Sequence, residues 1–595
     1  MALAQAKHER LRKRIALAVF SSDALSSVAY ATEEILLVLA LAGAAAVTLS
    51  LPIALAITTL LAIVTISYQQ TIHAYPSGGG SYIVARDNLG DVSGLVAAAA
   101  LLVDYVLTVS VSIAAGVAAL TSAVPQLADH KVAVGVACVA AIAFANIRGV
   151  RESGRIFALP TYGFIVAFGA LLAGGAYRWL NGTLPPAPAA VPPAVETLSW
   201  FLVLRAFAAG CTAMTGTEAI SNGIPAFRPP ESRNAAVTLG FMAIVLGVFF
   251  IGITLLAGAL GVVPGESETV VSQIARRIFG TGLLYYLVQA TTALILILAA
   301  NTSFADFPRL SSLLARDQFL PRQFANLGER LVFSNGILLL AGIAALLLIV
   351  FGGETHALIP LYAVGVFISF TLSQSGMVWH WLRLRTPGWP HRMVINGIGA
   401  LATAAVTIVI AVTKFVHGAW IVVLVIPLLV ATFMAMRRHY RDVAGQLSLD
   451  GWGGPPPMEH TVLVLVGDVH RGVVRAVQYA RTLAPEASVR AVFVETDPAR
   501  TARVEEKWGK WGQGVPLVVL SSPYRSLVRP FLDYVDALRA HGPEDIVTIV
   551  IPEFIPARWW QQVLHNQTAL LLKGALLFRR NIVVTDVPYL LRPGV

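Results

Sequence analysis

The chain has 595 residues, 56% of them hydrophobic and only 13% charged, with a mean hydropathy of +0.72. A soluble globular chain carries about 25% charged residues, so this composition excludes an ordinary soluble fold and implies a polytopic membrane protein. The apolar runs are about 20 residues long, the length of a bilayer-crossing helix, whereas a barrel strand needs about 10 alternating residues. The formal net charge of +10 speaks for membrane topology rather than nucleic-acid binding, because the basic residues cluster in alternate loops.

A basic N-terminus (Lys7, Arg10, Arg12, Lys13, Arg14) precedes the first apolar run, Ile15–Ala42. That run is far longer than the apolar region of a signal peptide and is expected to stay as a membrane helix. Its middle, FSSDALSSVAYATEE (Phe20–Glu34), holds Asp23, four serines, Glu33 and Glu34, with no glycine between Val19 and Leu39. An ionisable side chain within a span costs roughly 2.5–3.5 kcal/mol on insertion scales and by default marks a functional position. Twelve spans are predicted, at about 15–42, 50–72, 93–124, 132–147, 155–178, 199–224, 235–262, 282–305, 333–351, 356–381, 394–413 and 417–436. One set of loops carries the N-terminal cluster, Arg86, Arg148, Arg151, Arg155, Arg228, Arg233 and the later groups from Arg309 to Arg330, Arg383 to Arg392 and Arg437 to Arg441. The opposite loops carry only Lys131, Arg178, Arg276, Arg277 and Lys414. The positive-inside rule then puts both termini in the cytoplasm. Cys138 and Cys211 fall within spans and read as free buried thiols.

The sixth span, LSWFLVLRAFAAGCTAMTGTEAISNGIP, is interrupted by Gly210, Gly216 and Gly223 and holds Thr212, Thr215, Thr217 and Glu218 near its middle. Two interrupted spans in matching positions of two halves are the best sequence pointer to a secondary transporter's site. The implied design is an inverted repeat of spans 1–5 and 6–10 with two extra helices. Unwound backbone is expected at both breaks, lining a cavity. A lone glycine would mean only close helix packing; a glycine cluster beside an intramembrane glutamate means more.

Polar residues also fall at helical spacing. Asp23, Tyr30 and Glu34 share a face if the first span stays helical. In span 3, Asp104, Thr108 and Ser112 stand at i, i+4 and i+8. Thr215 and Glu218 are three apart, and Tyr362 lies in a weakly polar run of span 10. Each has a plainer reading. Thr108, Ser112 and Thr302 could bond back to their own helix, Tyr362 could pack or anchor, Glu33 or Glu34 could sit near outer water, and Arg205 could pair or snorkel. Asp23, Asp104 and Glu218 are harder to set aside. Carboxylates, hydroxyls and carbonyls are hard oxygen ligands that suit an alkali cation shedding its water, and a carboxylate can also carry a proton. An ionised Asp23 would repel the carboxylate of an amino acid, so an inorganic cation is favoured over a neutral amino acid.

After Arg441 the pattern changes. A Gly/Pro linker, 447–458, separates a membrane domain, 1–446, from a C-terminal domain, 459–595. Apolar runs at 461–466, 489–494, 515–520, 546–551 and 581–586 alternate with amphipathic stretches such as Arg471–Leu483 and Arg525–Ala540. This implies an α/β domain with a mainly parallel sheet, of the universal-stress-protein or Rossmann-like class. GDVHRG, with Gly467 and Gly472, reads as a structural turn, with a regulatory nucleotide as the alternative; no GxGxxG or Walker A motif is present. No paired catalytic constellation marks this domain as an enzyme.

AYPSGGGSYIVARDNLG (Ala74–Gly90) resembles a loop signature of the amino acid–polyamine–organocation superfamily. SSDALSSVAYATEEI, LVDYVLTVSVS, GCTAMTGTEAISNG and the loop DFPRLSSLLARDQFLPRQF (Asp306–Phe324) resemble the KimA-type branch of the KUP potassium uptake transporters. The resemblance covers nearly the whole chain and weakens after Gly451. It implies a proton-coupled potassium symporter with a LeuT-like core, twelve spans and a cytosolic C-terminal domain, in the cell (plasma) membrane. By resemblance, Asp23, Tyr30, Asp104, Thr108, Thr215 and Tyr362 match potassium-binding positions, and Glu218, with Asp104, proton-coupling ones. The family also implies a homodimer held by the C-terminal domains and, in some members, inhibition by a cyclic dinucleotide, with no resident cofactor. The alternatives are an amino acid or polyamine permease and a membrane-bound sensor whose output is the α/β domain.

Overall fold

The computed structural model describes residues 10–78, 80–148, 154–185, 194–265, 268–328, 332–454, 458–522, 526–539, 545–556 and 568–591. Lys7, Arg151 and Arg330 of the topology reading lie outside these, as do residues 455–457 of the linker and Arg525 and Ala540. The chain divides into two compact units, Met1–Leu447 and Ser448–Val595.

The first unit is helical. Among the described residues, nine helices are long and apolar enough to cross a membrane: Ala45–Ala74, Asp91–Ala123, Pro125–Ile147, Phe157–Leu180, Glu231–Leu260, Leu283–Arg316, Thr355–Leu384, Trp389–His417 and Ala419–Leu447. Ser334–Val350 is apolar but shorter. Asp91–Ala123 is the central element and packs on Leu283–Arg316 and Thr355–Leu384. Small residues permit this. Ala97 to Ala100 are fully buried, and a Cβ on Gly365 would lie 2.8 Å from the Ala100 carbonyl oxygen, so the two backbones meet there with nothing between them.

The first predicted span is in pieces: Lys13–Phe20, Ser22–Ser26 and Val28–Ala40. The sixth is Trp200–Gly210, a 3₁₀ turn Cys211–Met214, and Ala219–Asn222. Three local expectations change. The stretch Asp306–Phe324 is not a loop throughout; the helix from Leu283 runs on to Arg316, because its Pro308 is tolerated inside the helix and its last apolar residues still pack inward. The segment Ala74–Gly90 contains a helix, Gly80–Leu89, once the Pro/Gly run has turned the chain. The last membrane helix continues to Leu447, into a charged, exposed end.

The second unit is a five-stranded, wholly parallel sheet of order β3-β2-β1-β4-β5. The strands are β1 His460–Val466, β2 Val489–Glu495, β3 Leu517–Ser521, β4 Ile546–Ile555 and β5 Ile582–Leu590. Side chains alternate between the faces of a strand. Val462, Val464 and Val466 pack with Val473, Ala476, Val477, Val504 and Trp508 on one face. Leu463 packs with Phe531, Val535, Leu572 and Leu576 on the other. β5 is an edge strand, which is why it runs through Pro588.

Phe531 is fully buried against the second face. Phe531→Ala is expected to destabilise this unit by about 3–5 kcal/mol. Hydrogen exchange at β2 and β4 amides reads the loss as faster exchange, while amides of Asp91–Ala123 keep their protection. Unchanged exchange in β2 and β4 would contradict the packing.

Candidate functional site

The two broken segments meet, and they are broken in different ways. In the first, Ser21 and Ser27 keep right-handed helical dihedrals. Serine hydroxyls take up the carbonyls there: Ser21 donates to Leu17, Ser22 to Val19 at 3.3 Å, Ser26 to Asp23 at 2.7 Å and Ser27 to Ala24 at 2.6 Å. Such back-bonds loosen and bend a helix without unwinding it, so the unwound backbone expected here is replaced by two kinks. The sixth segment does unwind. Thr215 is extended, with φ −64° and ψ 151°, and Gly216 has φ +74°.

The Asp23 carboxyl group lies directly on Gly216. A Cβ there would be 2.5 Å from Asp23 Cγ and Oδ2 and 2.8 Å from the Ala24 nitrogen. The Ser27 hydroxyl also donates across to the Ala213 carbonyl at 3.0 Å. One break therefore grips the other.

The remaining candidates gather around this crossing. Tyr30 faces Asp23, Thr215 and Asp104. Asp104 is within electrostatic reach of Glu218 and Asp23. The Thr108 and Tyr362 hydroxyls are 2.8 Å apart, and Tyr362 also faces Asp23, Tyr30 and Asp104. Thr215 bonds back to Thr212 at 2.9 Å. Glu218 Oε2 accepts from Ser81 and Ser369, each at 3.4 Å. All seven candidate residues are buried, Asp104 at 5% exposure and Glu218 at 4%. Asp23 Oδ1, Asp104 Oδ1, Glu218 Oε1 and the Ser112 hydroxyl have no hydrogen-bond partner among the described residues. An unpaired buried polar group costs about 1–3 kcal/mol, and more when charged. Three carboxyl groups in one interior, each with an unpartnered oxygen, therefore call for positive charge.

No group of three or more His, Cys, Asp or Glu among the described residues could together hold a metal ion. Any cation here would be held by mixed carboxyl, hydroxyl and carbonyl oxygens, a set suited to a hard alkali ion.

Residues 15–433 match the family described as amino acid permease, and residues 458–589 match the KimA potassium transporter C-terminal domain. The chain is 45% identical over 589 residues, 98% of its own length and 96% of the relative's, to potassium transporter KimA of Bacillus subtilis (strain 168). The chain belongs to the KimA family.

This KimA-family chain has site neighbours that the spacing of polar residues did not select. Asp306, on the helix Leu283–Arg316, is a fourth carboxyl group within electrostatic reach of Asp23 and Glu218. Its partner is Arg309, at 3.9 Å. It escaped because the span was ended at residue 305; a helical reading carried one turn further reaches it. Ser81 and Ser369 escaped because single serines carry no signal. Several plain readings hold elsewhere. Thr302 bonds back to Ala299 at 2.7 Å, and Arg205 pairs with Glu196 at 3.6 Å. Glu34 turns to His356 while staying within electrostatic reach of Tyr30.

In the C-terminal unit of this family member the GDVHRG turn is held internally. Asp468 accepts from the Val469 N–H at 2.7 Å and lies 3.4 Å from the Lys507 ammonium, and Arg500 donates to the Gly467 carbonyl at 2.7 Å. Partial burial pushes the Asp468 carboxyl up, but the Val469 N–H, Lys507 and Arg500 outweigh it and hold it below its ordinary range.

Gly216→Ala is expected to abolish function. The new methyl group meets Asp23, and a left-handed backbone costs a non-glycine residue about 1–3 kcal/mol. Flux through purified, correctly folded G216A checks this; parental flux would contradict the close approach.

Proposed function

We propose that this chain carries potassium into the cell in symport with protons, by alternating access across the cytoplasmic membrane. The observation that carries the reading is the group of carboxyl and hydroxyl oxygens without partners among the described residues at the crossing of the two broken helices. The full-length similarity to a potassium transporter supports the choice of ion. Asp23, Tyr30, Asp104, Thr108, Thr215 and Tyr362 supply or shape the potassium site. Glu218 carries the coupling proton, with Asp104 as the other candidate. Among the described residues, nine long helices, Ser334–Val350 and the two broken segments are the material for twelve spans in a LeuT-like 5+5 inverted repeat. The basic loops support cytoplasmic termini.

The C-terminal unit is, on this reading, a regulatory and dimerisation domain. The order β3-β2-β1-β4-β5 has its switch point between β1 and β4, where open α/β sheets generally bind ligands. The GDVHRG turn leaves β1 on that side, which supports a regulatory ligand such as a cyclic dinucleotide there.

Growth at low potassium of a bacterium lacking potassium uptake, together with rubidium uptake with and without a proton uncoupler, tests the transport reading. The chain is expected to rescue growth, and the uncoupler to suppress uptake. Asp104→Asn and Glu218→Gln, at normal expression, are each expected to reduce uptake to background. Uptake retained in both variants would overturn the site assignment. Uptake of labelled amino acids unaffected by excess potassium would favour a permease.

A further inference from the structure

Glu33 and Glu34 stand on the second half of the first broken segment, Val28–Ala40, one turn beyond Tyr30. Both are buried, at 4% and 5% exposure. Each is tied to a different element. Glu33 Oε2 accepts from the N–H of Val270 at 3.1 Å. Val270 opens the short helix Val270–Phe279, which lies between two spans and is capped by Thr269. Glu34 Oε1 lies 2.5 Å from His356 Nδ1, and Glu33 Oε1 lies 3.7 Å from His356 Nε2. His356 is the second residue of the helix Thr355–Leu384, and its side chain is 42% exposed.

Both imidazole nitrogens thus face carboxylate oxygens, and only the imidazolium carries a proton on both. The other charges nearby are largely committed. Glu354 pairs with Lys131. Arg276 of the short helix pairs at 2.6 Å with Glu268, which precedes the helix. Lys414, at the end of Trp389–Lys414, is within electrostatic reach of Glu34 and has no hydrogen-bond partner among the described residues. Arg205, which also acts on Lys414, pairs with Glu196. The charged His356 is therefore what joins the two glutamates. Without its proton, Glu33 and Glu34 stay within electrostatic reach of one another, and the remaining cation, Lys414, acts on Glu34.

We propose that Glu33, Glu34 and His356 form a proton-held latch that closes the non-cytoplasmic mouth of the transport path. The latch ties the moving half of the first broken helix to the lid helix Val270–Phe279 and to Thr355–Leu384. Protonated His356 keeps it shut, and loss of that proton from the outer side releases it. This rests on the transport reading and adds to it a gate with its own titrating group, separate from the coupling carboxylates.

The test reads lid opening rather than flux. Val271, on the lid helix, is 2% exposed. Val271→Cys is placed in the full chain with Cys138→Ser and Cys211→Ser, and a membrane-impermeant maleimide is added outside intact cells. At mildly acidic external pH, about 5.5, where an imidazole is mostly protonated, labelling of the parent is slow. His356→Gln and Glu34→Gln are expected to raise the rate about tenfold, a shift of lid population that simple two-state arithmetic allows. His356→Arg, which keeps the charge, is expected to stay at the parent rate, and the gap between parent and His356→Gln to narrow as the external pH is raised and the imidazolium is lost. Equal rates in parent and His356→Gln, a fast His356→Arg, or labelling only from the cytosolic side would each overturn the latch. A chain that labels as expected but carries no rubidium keeps the latch and loses the transport reading. One that carries rubidium with His356→Gln labelled at the parent rate keeps transport and loses the latch.

Discussion

The contact between the Asp23 carboxyl group and the bare Cα of Gly216 holds the candidate site together. It fixes where the two broken helices cross, and it works only because residue 216 has no side chain and sits at φ +74°. The Ser27–Ala213 hydrogen bond locks the same crossing from the backbone side. Everything else in the site is placed relative to this junction: Tyr30 one turn on from Ser27, Glu218 two residues past Gly216, and Asp104 opposite on the central helix. Burying a carboxylate costs several kcal/mol unless charge or hydrogen bonds compensate, and Asp23 Oδ1 has no hydrogen-bond partner among the described residues.

The polar partners divide into two kinds. The Thr108 and Tyr362 hydroxyls bond one another, the Thr215 hydroxyl donates to the Thr212 carbonyl, and both contacts hold geometry. Asp23, Asp104 and Glu218 each keep one unpaired oxygen. Their mutual repulsion is relieved by adding positive charge, either a desolvated cation or a proton. On the symport proposal, a cation and a proton drawn to the same carboxyl groups act on one another's binding through this low-dielectric interior. The serine contacts to Glu218, both 3.4 Å long, are weak enough to yield when the helices move.

Much of this was legible in the sequence because it is local. Apolar runs of span length, the Gly210–Gly223 cluster and the i, i+4 stripe on the third span all announce themselves by composition and periodicity. The five apolar runs after Gly451 likewise anticipate a parallel sheet, since strands alternating with amphipathic helices allow little else. What the sequence conceals depends on tertiary approach. The serine-rich break looked like unwound backbone, but four hydroxyls bond back to their own helix and leave it kinked. Asp306 looked like loop because Pro308 and the charges after it suggest an end, while the packing of Phe307, Leu310 and Leu314 carries the helix on to Arg316. Glu33 and Glu34 had no assignable role until His356, more than three hundred residues later, was found beside them.

The central claim is that the crossing holds a desolvated potassium ion. Thermal unfolding of the purified full chain in potassium chloride against choline chloride tests it most directly. A ligand at a hundred times its dissociation constant stabilises the folded state by about 2.7 kcal/mol, which raises the unfolding temperature measurably. The account expects that rise in the parent and its loss in Asp23→Asn. An equal rise in both, or none in the parent, would contradict it.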